Sequence, residues 1–304
     1  MKLILGLDFG GTKLAAGLVD AESGAVVSSL RAATPAGGAE AGLAAMLALG
    51  TQLVAQSTAP VHAVGVSFGG PVESDGRTVR LSMHIPGWEG MPLAQRCEAH
   101  FGLPCVIAND ADAAGLAEYR FGAGQGCTHM LYLTVSTGIG GGVIINGRLH
   151  RGEHAWAGEV GHMILKPDGP ACACGGNGCL ESLSSGLSIA RDARLRVPPT
   201  LAHLPEAAIT AKAVAEAAAA GDPVAQQIWH DAVGWLGVGI SSACNLLNPG
   251  MVVIGGGLSE AGEQLFAPLR DIMRYRALSK HVVLVRASLG AVVGIMGGAA
   301  LCID

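Results

Sequence analysis

A short apolar strand, a glycine-rich turn and a second strand occur in this order twice along the chain. The first copy has its strand at 3–7 and its turn at 8–13, and the second has them at 130–135 and 136–142. Further helices and strands follow both copies, which indicates a weak internal duplication. The pattern predicts two similar α/β lobes, and ligands commonly lie in the cleft between such lobes. The other predicted strands are 14–19, 25–30, 61–67, 105–108, 143–145, 251–254 and 282–285, and the predicted helices are 40–56, 92–101, 112–121, 211–220, 223–247 and 259–273.

The composition excludes several classes of protein. The chain of 304 residues is 50% hydrophobic and 14% charged with a net charge of −5, which is the opposite of a disordered sequence. Its length suggests about two domains. The 46 glycines have no period of three, so collagen is excluded. A pI near 6.0 and the lack of a Lys/Arg run argue against nucleic-acid binding.

Two uncharged stretches raise the question of a membrane span. The first, 232–259, contains an Asn-Pro-Gly turn at 248–250 and is therefore expected to form two shorter pieces. The second, 287–303, lacks basic and aromatic anchors, so it predicts a buried, closely packed helix. The apolar run between Lys2 and Asp8 is too short for a secretory signal. We therefore expect a cytoplasmic protein that binds no membrane.

Three common motifs are absent or incomplete. Gly-x-Ser-x-Gly at 65–69 resembles the nucleophile elbow of hydrolases, but the Gly-Pro-rich sequence after it is not helical as the elbow requires. Gly-Ile-Gly at 138–140 begins a dinucleotide fingerprint, but Val143 replaces the third glycine and a strand follows. No Gly-Lys-Ser/Thr is present to form a P-loop.

The two glycine-rich turns are candidate phosphate sites. Glycines let backbone N–H groups approach an anion closely, Thr12 adds a hydroxyl donor and Lys13 a positive charge. Asp8 is a hard oxygen ligand that could hold Mg²⁺ through water. A plain Gly-Gly turn is the alternative. The glycines at 255–257 end a predicted strand without side chains, which suits an adenine or ribose or, alternatively, a strand-to-helix turn. The residues of the first turn are Asp8, Gly10, Gly11, Thr12 and Lys13.

Asn109 and Asp110 follow the predicted strand at 105–108 directly. A carboxylate at the end of a buried strand in a cleft is a candidate general base. The alternative is that it caps the next helix, but Asp112 could fill that role and leave Asp110 free.

Three cysteines at 172, 174 and 179, with His162 ten residues before the first, have the spacing of a zinc site. Four protein ligands would complete a tetrahedron, so the Zn²⁺ would be structural. Three unrelated buried cysteines are the alternative. The zinc would clamp a loop that carries Glu159 and Glu181. One nitrogen of His162 would bind the metal and the other could donate to a substrate hydroxyl.

Six motifs, in this order and spacing, resemble those of the ROK family of sugar kinases. The resemblance covers nearly the whole chain, and the zinc motif is its most specific part. The motifs are Asp8-x-Gly-Gly-Thr-Lys, Asn109-Asp-Ala, Ser136-Thr-Gly-Ile-Gly-Gly-Gly, Glu159-x-Gly-His, Cys172-x-Cys-Gly-x₂-Gly-Cys-x-Glu and Val253-Ile-Gly-Gly-Gly.

The resemblance implies a fold and a set of ligands. The fold is the two-lobed α/β actin/hexokinase/Hsp70 ATPase type, a duplicated ribonuclease H-like fold with a central ligand cleft. The small lobe would comprise 1–112 and 288–304, and the large lobe 113–287 with the zinc loop. ATP, Mg²⁺ and a hexose would bind, and Asp110 would take the proton from the sugar 6-hydroxyl. The implied ATP-binding residues are Asp8, Gly10, Gly11, Thr12, Lys13, Thr137, Gly138, Gly256 and Gly257. The implied hexose-binding residues are Gly70, Asn109, Asp110, Glu159, His162 and Glu181, and the implied zinc ligands are His162, Cys172, Cys174 and Cys179.

Within the family the chain is most similar to the bacterial glucokinases, which favours glucose as the substrate. His84 departs from the expected Asn in a loop that lies near the sugar site of the family. Kinases of N-acetylglucosamine, N-acetylmannosamine or fructose are alternatives, as are a non-catalytic sugar sensor and a sugar-responsive repressor. Polyphosphate as the donor would call for extra basic residues, and the chain has five lysines. We also expect a homodimer or homotetramer.

Overall fold

The computed structural model describes residues 2–82 and 85–303, so His84 lies outside the described residues. The chain divides into two compact units. Unit 1 comprises Met1–Thr128, Gly142–Gly158 and Ser288–Asp304, and unit 2 comprises His129–Gly141 and Glu159–Ala287. Residues 113–128 and 142–158 therefore lie in unit 1, whereas the sequence analysis assigns them to the large lobe. The predicted lobe limits stay a prediction.

The sheet of unit 1 has the strand order β3-β2-β1-β4-β5. β1 pairs antiparallel with β2, and β2 with β3, whereas β1–β4 and β4–β5 are parallel. A sheet covered on both faces needs nearly continuous apolar strands, and β1 and β4 have them. The strands are β1 (Leu3–Phe9), β2 (Lys13–Asp20), β3 (Val26–Ala33), β4 (Val61–Phe68) and β5 (Cys105–Asn109).

Among the described residues, unit 1 contains four α-helices, and two of them cover opposite faces of this sheet. Leu5 and Leu7 of β1 lie in one apolar cluster with Leu43 and Met46 of α1, whereas Ile4 packs with Ile295 of α9. The helices are α1 (Gly38–Gln56), α2 (Leu93–Phe101), α3 (Asp110–Phe121) and α9 (Val293–Ala300).

Helix α9 approaches the sheet closely through glycines. A Cβ on Gly65 of β4 would lie 1.8 Å from the carbonyl oxygen of Gly298, and a Cβ on Gly6 would lie 2.1 Å from that of Ile295. Only glycine leaves room for this contact. The prediction of a closely packed helix within 287–303 is confirmed.

The second sheet has the order β10-β9-β6-β7-β8, and β7 crosses the division between the units at residues 141 and 142. β9 pairs in parallel with β6 and β10, and β7 antiparallel with β8. In unit 2, α7 packs against α4, α6 and α8. The strands are β6 (Met130–Val135), β7 (Ile139–Ile145), β8 (Arg148–Leu149), β9 (Met251–Gly255) and β10 (Val283–Arg286). The helices are α4 (Leu180–Ser184), α5 (Gly186–Arg196), α6 (Ala211–Ala219), α7 (Pro223–Leu247) and α8 (Glu263–Arg276).

Several element predictions need correction. The second glycine-rich turn is shorter than predicted, because β7 begins at Ile139 and takes in the three glycines that follow. These glycines belong to the sheet, where β7 lies between β6 and β8, and close packing requires glycine at 142, where a Cβ would lie 2.9 Å from the carbonyl oxygen of Ala111. The helix predicted at 259–273 is a 3-10 turn, Gly257–Ala261, followed by α8, since Gly262 adopts a positive φ of 57°.

The uncharged stretch 232–259 forms the end of α7 and strand β9, as predicted. No helix follows the Gly-x-Ser-x-Gly motif within the described residues before Leu93, so the elbow stays excluded. Among the described helices, α1 alone is long and apolar enough to cross a membrane by length and composition. Its buried positions recur every three or four residues and pack on the sheet, as in a core helix.

Candidate active site

The first candidate phosphate site is a tight turn between β1 and β2. The amide of Gly10 donates to the carbonyl of Lys13 (3.1 Å), and the amide of Gly69 donates to the carbonyl of Phe9 (3.0 Å). Gly11, Thr12 and Lys13 are exposed. The turn therefore presents backbone N–H groups, a hydroxyl and a cation to solvent, as an anion site requires.

Asp8 lies at the end of β1, directly before this turn. Its carboxylate is half-buried and Oδ1 accepts a hydrogen bond from the Ser67 hydroxyl at 3.1 Å. Burial raises the pKa of Asp8, and the Ser67 bond and the charges of Lys13 and Arg31 partly offset this rise. A Cβ on Gly294 of α9 would lie 2.2–2.5 Å from the carboxylate atoms. Glycine at position 294 thus makes room for Asp8.

Asn109, rather than Asp112, caps helix α3, and Asp110 is left free of that role as expected. The Asn109 side-chain oxygen accepts from the amides of Ala111 (2.9 Å) and Asp112 (3.4 Å), and its amide nitrogen donates to the carbonyl of Gly70 (3.2 Å). The side chain of Asp112 is buried within the helix. Asn109 has the better position because the residue before the first helical turn reaches the free amides.

Asp110 is the first residue of α3, and it is exposed to solvent. Its Oδ1 accepts a hydrogen bond from the amide of Ala111 at 2.9 Å, and hydrogen bonds from Ala111 and Asn109 lower the pKa of the carboxyl in part. Protein atoms nevertheless crowd the carboxylate and raise its pKa to about 6, and the negative charge of Asp8 contributes to this rise. Since a general base works best with a pKa near the working pH, Asp110 has the properties that the role requires.

In unit 2, His162, Cys172, Cys174 and Cys179 place four ligand atoms within 4.8 Å of one another. Nδ1 of His162 lies 3.7 Å from the sulfur of Cys172, and the sulfurs of Cys174 and Cys179 are 3.6 Å apart. Sulfurs on a zinc tetrahedron with Zn–S bonds of about 2.3 Å are about 3.8 Å apart. The four residues therefore fit a structural zinc ion, and three unrelated cysteines do not explain the cluster.

The same cluster orients two carboxylates. Nε2 of His162 lies 3.8 Å from Oε2 of Glu159, so one ring nitrogen faces the cysteines and the other a carboxylate. Burial raises the pKa of Glu159, His162 lowers it in part, and Glu181 adds to the rise. Oε2 of Glu181 accepts from the amide of Ile139 at 2.8 Å, and a Cβ on Gly138 would lie 2.4 Å from that oxygen.

The glycines after β9 lie against the second turn. A Cβ on Gly256 would lie 2.5 Å from the carbonyl oxygen of Val135, and one on Gly257 would lie 3.7 Å from the Ser136 hydroxyl. Gly256 also has a positive φ of 82°. Unit 2 thus brings Thr137, Gly138, Glu181, Gly256 and Gly257 to one region, and unit 1 does the same for its own predicted residues.

Sequence reasoning missed four residues that support the unit 1 site: Thr34, Ser67, Glu118 and Gly294. The fully buried carboxylate of Glu118 accepts from the amides of Ala123, Ser288 and Leu289 and so connects α3 to the segment that leads into α9. No local signal marks these four, because each acts on a residue distant in the sequence.

Comparisons with known proteins agree with the motifs. The model of the family described as ROK family matches residues 4–304. A glucokinase of Streptomyces coelicolor is 35% identical over 99% of this chain and 98% of its own length. An N-acetylmannosamine kinase of Escherichia coli is 34% identical over 98% and 97%.

Among solved structures, a ROK family glucokinase from Streptomyces griseus in complex with glucose and AMPPNP superposes with a TM-score of 0.84 at 38% identity, over 98% of each chain. This chain shares with it the actin-like ATPase fold that the motifs predict. A match of the family model over nearly the whole length, together with these relatives, means that this chain belongs to the ROK family.

Proposed function

We propose that this protein transfers the γ-phosphoryl group of ATP to the 6-hydroxyl of a hexose, with glucose as the preferred sugar. The observation that carries the proposal is Asp110, an accessible carboxylate at the start of a helix with its pKa raised to about 6. Membership of a family that includes sugar kinases supports it, and glucokinases are among the relatives at 35% identity.

Asp110 is the general base. It accepts the proton of the sugar hydroxyl while the hydroxyl oxygen attacks the γ-phosphorus and the bond to the leaving ADP breaks. Asn109 holds the strand-to-helix turn on which Asp110 lies by bonding to Gly70. The family residues of the hexose site, by this proposal, are Gly70, Asn109, Asp110, Glu159, His162 and Glu181.

The ATP phosphates are bound by Asp8, Gly10, Gly11, Thr12 and Lys13 together with Thr137 and Gly138, and the adenosine by Gly256 and Gly257. Asp8 offers hard carboxylate oxygens beside the first turn, which fits Mg²⁺ held through water. When bound, Mg²⁺ neutralises charge on the phosphates. Zinc has a structural role, because its four protein ligands leave no open position.

N-acetylmannosamine kinase is the second candidate, because a relative with that activity is 34% identical over nearly the same length. The catalytic aspartate serves both sugars, so it does not separate them. We further propose a cytoplasmic protein that acts as a homodimer or homotetramer and binds neither nucleic acid nor membrane.

A coupled assay of ADP release with ATP tests the proposal. The panel contains glucose, N-acetylglucosamine, N-acetylmannosamine, fructose and allose. We expect the highest kcat/KM with glucose. Asp110→Asn should still bind glucose but lose about 10²- to 10⁴-fold in kcat, the usual contribution of a general base. Absence of ADP release with every sugar would overturn the kinase proposal, and normal turnover of the variant would overturn the role of Asp110.

A further inference from the structure

Thr34 makes two hydrogen bonds to the turn between β1 and β2. Its hydroxyl donates to the carbonyl of Gly10 at 2.9 Å, and its amide donates to the carbonyl of Thr12 at 3.0 Å. Thr34 directly follows β3, whose last pair joins Ala33 to Lys13, so its amide continues the ladder. One residue therefore directs two carbonyls of the turn, those of Gly10 and Thr12, towards itself.

Holding these carbonyls also orients amides. A trans peptide is planar, and its C=O and N–H point in opposite directions. With the Gly10 carbonyl directed at Thr34, the N–H of Gly11 points away from it. Within residues 2–82 and 85–303, no acceptor receives a hydrogen bond from the N–H groups of Gly11 and Thr12. These donors are free for an anion.

The side chain of Thr34 is itself restrained. Pro35 follows it, and a residue before proline is confined to extended backbone conformations. A β-branched side chain adds a strong preference in χ1. Both restraints keep the hydroxyl aimed at Gly10 before any ligand arrives.

We propose that Thr34 is a positioning residue for nucleotide binding: it fixes the carbonyls of the first turn so that the Gly11 N–H faces the phosphates. The inference rests on the proposed function in one respect, that residues 10–13 bind ATP phosphates. Thr34 itself acts through the turn and makes no contact with the reacting atoms. A preformed donor avoids the loss of freedom that ordering the turn would otherwise involve on binding.

The test uses three variants of the full-length protein. Thr34→Val keeps the shape and the backbone amide but removes the hydroxyl donor. Thr34→Ser restores a hydroxyl. Thr51→Val is the matched control, because the Thr51 hydroxyl donates to the carbonyl of Leu47 at 2.9 Å on the exposed face of α1.

Thr34→Val should raise KM for ATP and the calorimetric Kd for AMPPNP about fivefold, the usual effect of one lost hydrogen bond. KM for the sugar should stay unchanged, Thr34→Ser should recover at least half of the loss, and Thr51→Val should behave as the wild type. Equal rises in both KM values, no change in Thr34→Val, or failure of Thr34→Ser to recover would overturn the proposal.

The calorimetric arm separates this inference from the kinase proposal. A wild-type protein that binds AMPPNP but phosphorylates no sugar would overturn the proposed function. In that case a fivefold higher Kd for AMPPNP in Thr34→Val would still support the role of Thr34. A wild type that binds no AMPPNP would overturn the inference, because the turn would then have no phosphate to bind.

Discussion

The two glycine-rich hairpins share a sequence pattern but are held in place by different interactions. In the first, the carbonyls of Gly10 and Thr12 accept from Thr34. In the second, the carbonyls of Ser136 and Thr137 accept from the amides of Gly186 (2.7 Å) and Leu187 (3.3 Å) at the start of α5. Two backbone amides thus do in unit 2 what the amide and the hydroxyl of a single residue do in unit 1.

The second hairpin is also linked to the loop that carries the cluster of His162 and three cysteines. Glu181 accepts from the amide of Ile139 and lies two residues after Cys179 of that cluster. Oε1 of Glu181 is 3.9 Å from the sulfur of Cys172. The first hairpin has no such link among the described residues and relies on α9, whose Gly294 accommodates Asp8. Duplicated local patterns can therefore acquire unrelated tertiary support.

Loss of zinc should have the largest effect, and it should act on the second hairpin. Cys172→Ser removes one ligand, so we expect zinc content to fall from about one ion per chain to near zero. Elemental analysis measures this. Because the loop then loses its order and frees Glu181, kcat/KM for the sugar should fall more than about tenfold and Tm by about 10 °C.

Cys127→Ser is the control for this change. Cys127 lies in unit 1, and its thiol donates to the carbonyl of Gly124 at 2.9 Å, a bond that a serine hydroxyl can replace. It should retain zinc and activity. A metal-free Cys172→Ser protein with full activity would show that the second hairpin does not need the zinc loop.

Gly294→Ala should disturb the first hairpin in the corresponding way. The added methyl would lie within 2.5 Å of the Asp8 carboxylate, so the side chain or α9 must shift. Overpacking of this kind costs about 1–3 kcal/mol. We expect a Tm lower by several degrees and a kcat reduced about tenfold or more, while the zinc content stays at the wild-type value. Wild-type kcat in this variant would mean that the position of Asp8 does not matter for turnover.

The strands and most of the helices could be predicted from the sequence, because the spacing of apolar residues shows which face of an element is buried. The limits of the second turn could not, since the glycines at 140–142 suit a turn and yet form part of β7, which lies between β6 and β8 in the sheet. The helix cap could not be assigned either, as Asn109, Asp110 and Asp112 all have suitable side chains. The histidine and cysteines of the cluster are local in the sequence and could be grouped from their spacing, whereas Thr34 and Gly294 act on Gly10 and Asp8 across long separations and were missed.

The pH dependence should report the chemistry of unit 1. As the proposed general base, Asp110 would act when deprotonated, and its pKa is raised to about 6, so we expect kcat/KM to be constant above that pH and to fall about tenfold per pH unit below it. Asp8→Asn removes a negative charge that contributes to the raised pKa of Asp110. The acid limb should therefore move to lower pH, whatever the residual activity.

Asp231→Asn is the control, because Asp231 pairs with Arg196 on the surface of unit 2. Its acid limb should coincide with that of the wild type. If the acid limb of the pH profile of Asp8→Asn coincided with that of the wild type, the charge of Asp8 would not contribute to the raised pKa of Asp110.

Gly234→Ala should have the smallest effect and the opposite sign to Gly294→Ala. Gly234 lies inside α7, and a Cβ there would meet nothing within 4 Å. Alanine is favoured over glycine within a helix by about 0.5–1 kcal/mol, so Tm should rise by one to a few degrees with kcat unchanged. Melting curves of both alanine variants give the comparison directly. A lower Tm in Gly234→Ala would contradict this, since the position has open space for a methyl group and only the helix propensity of the residue changes.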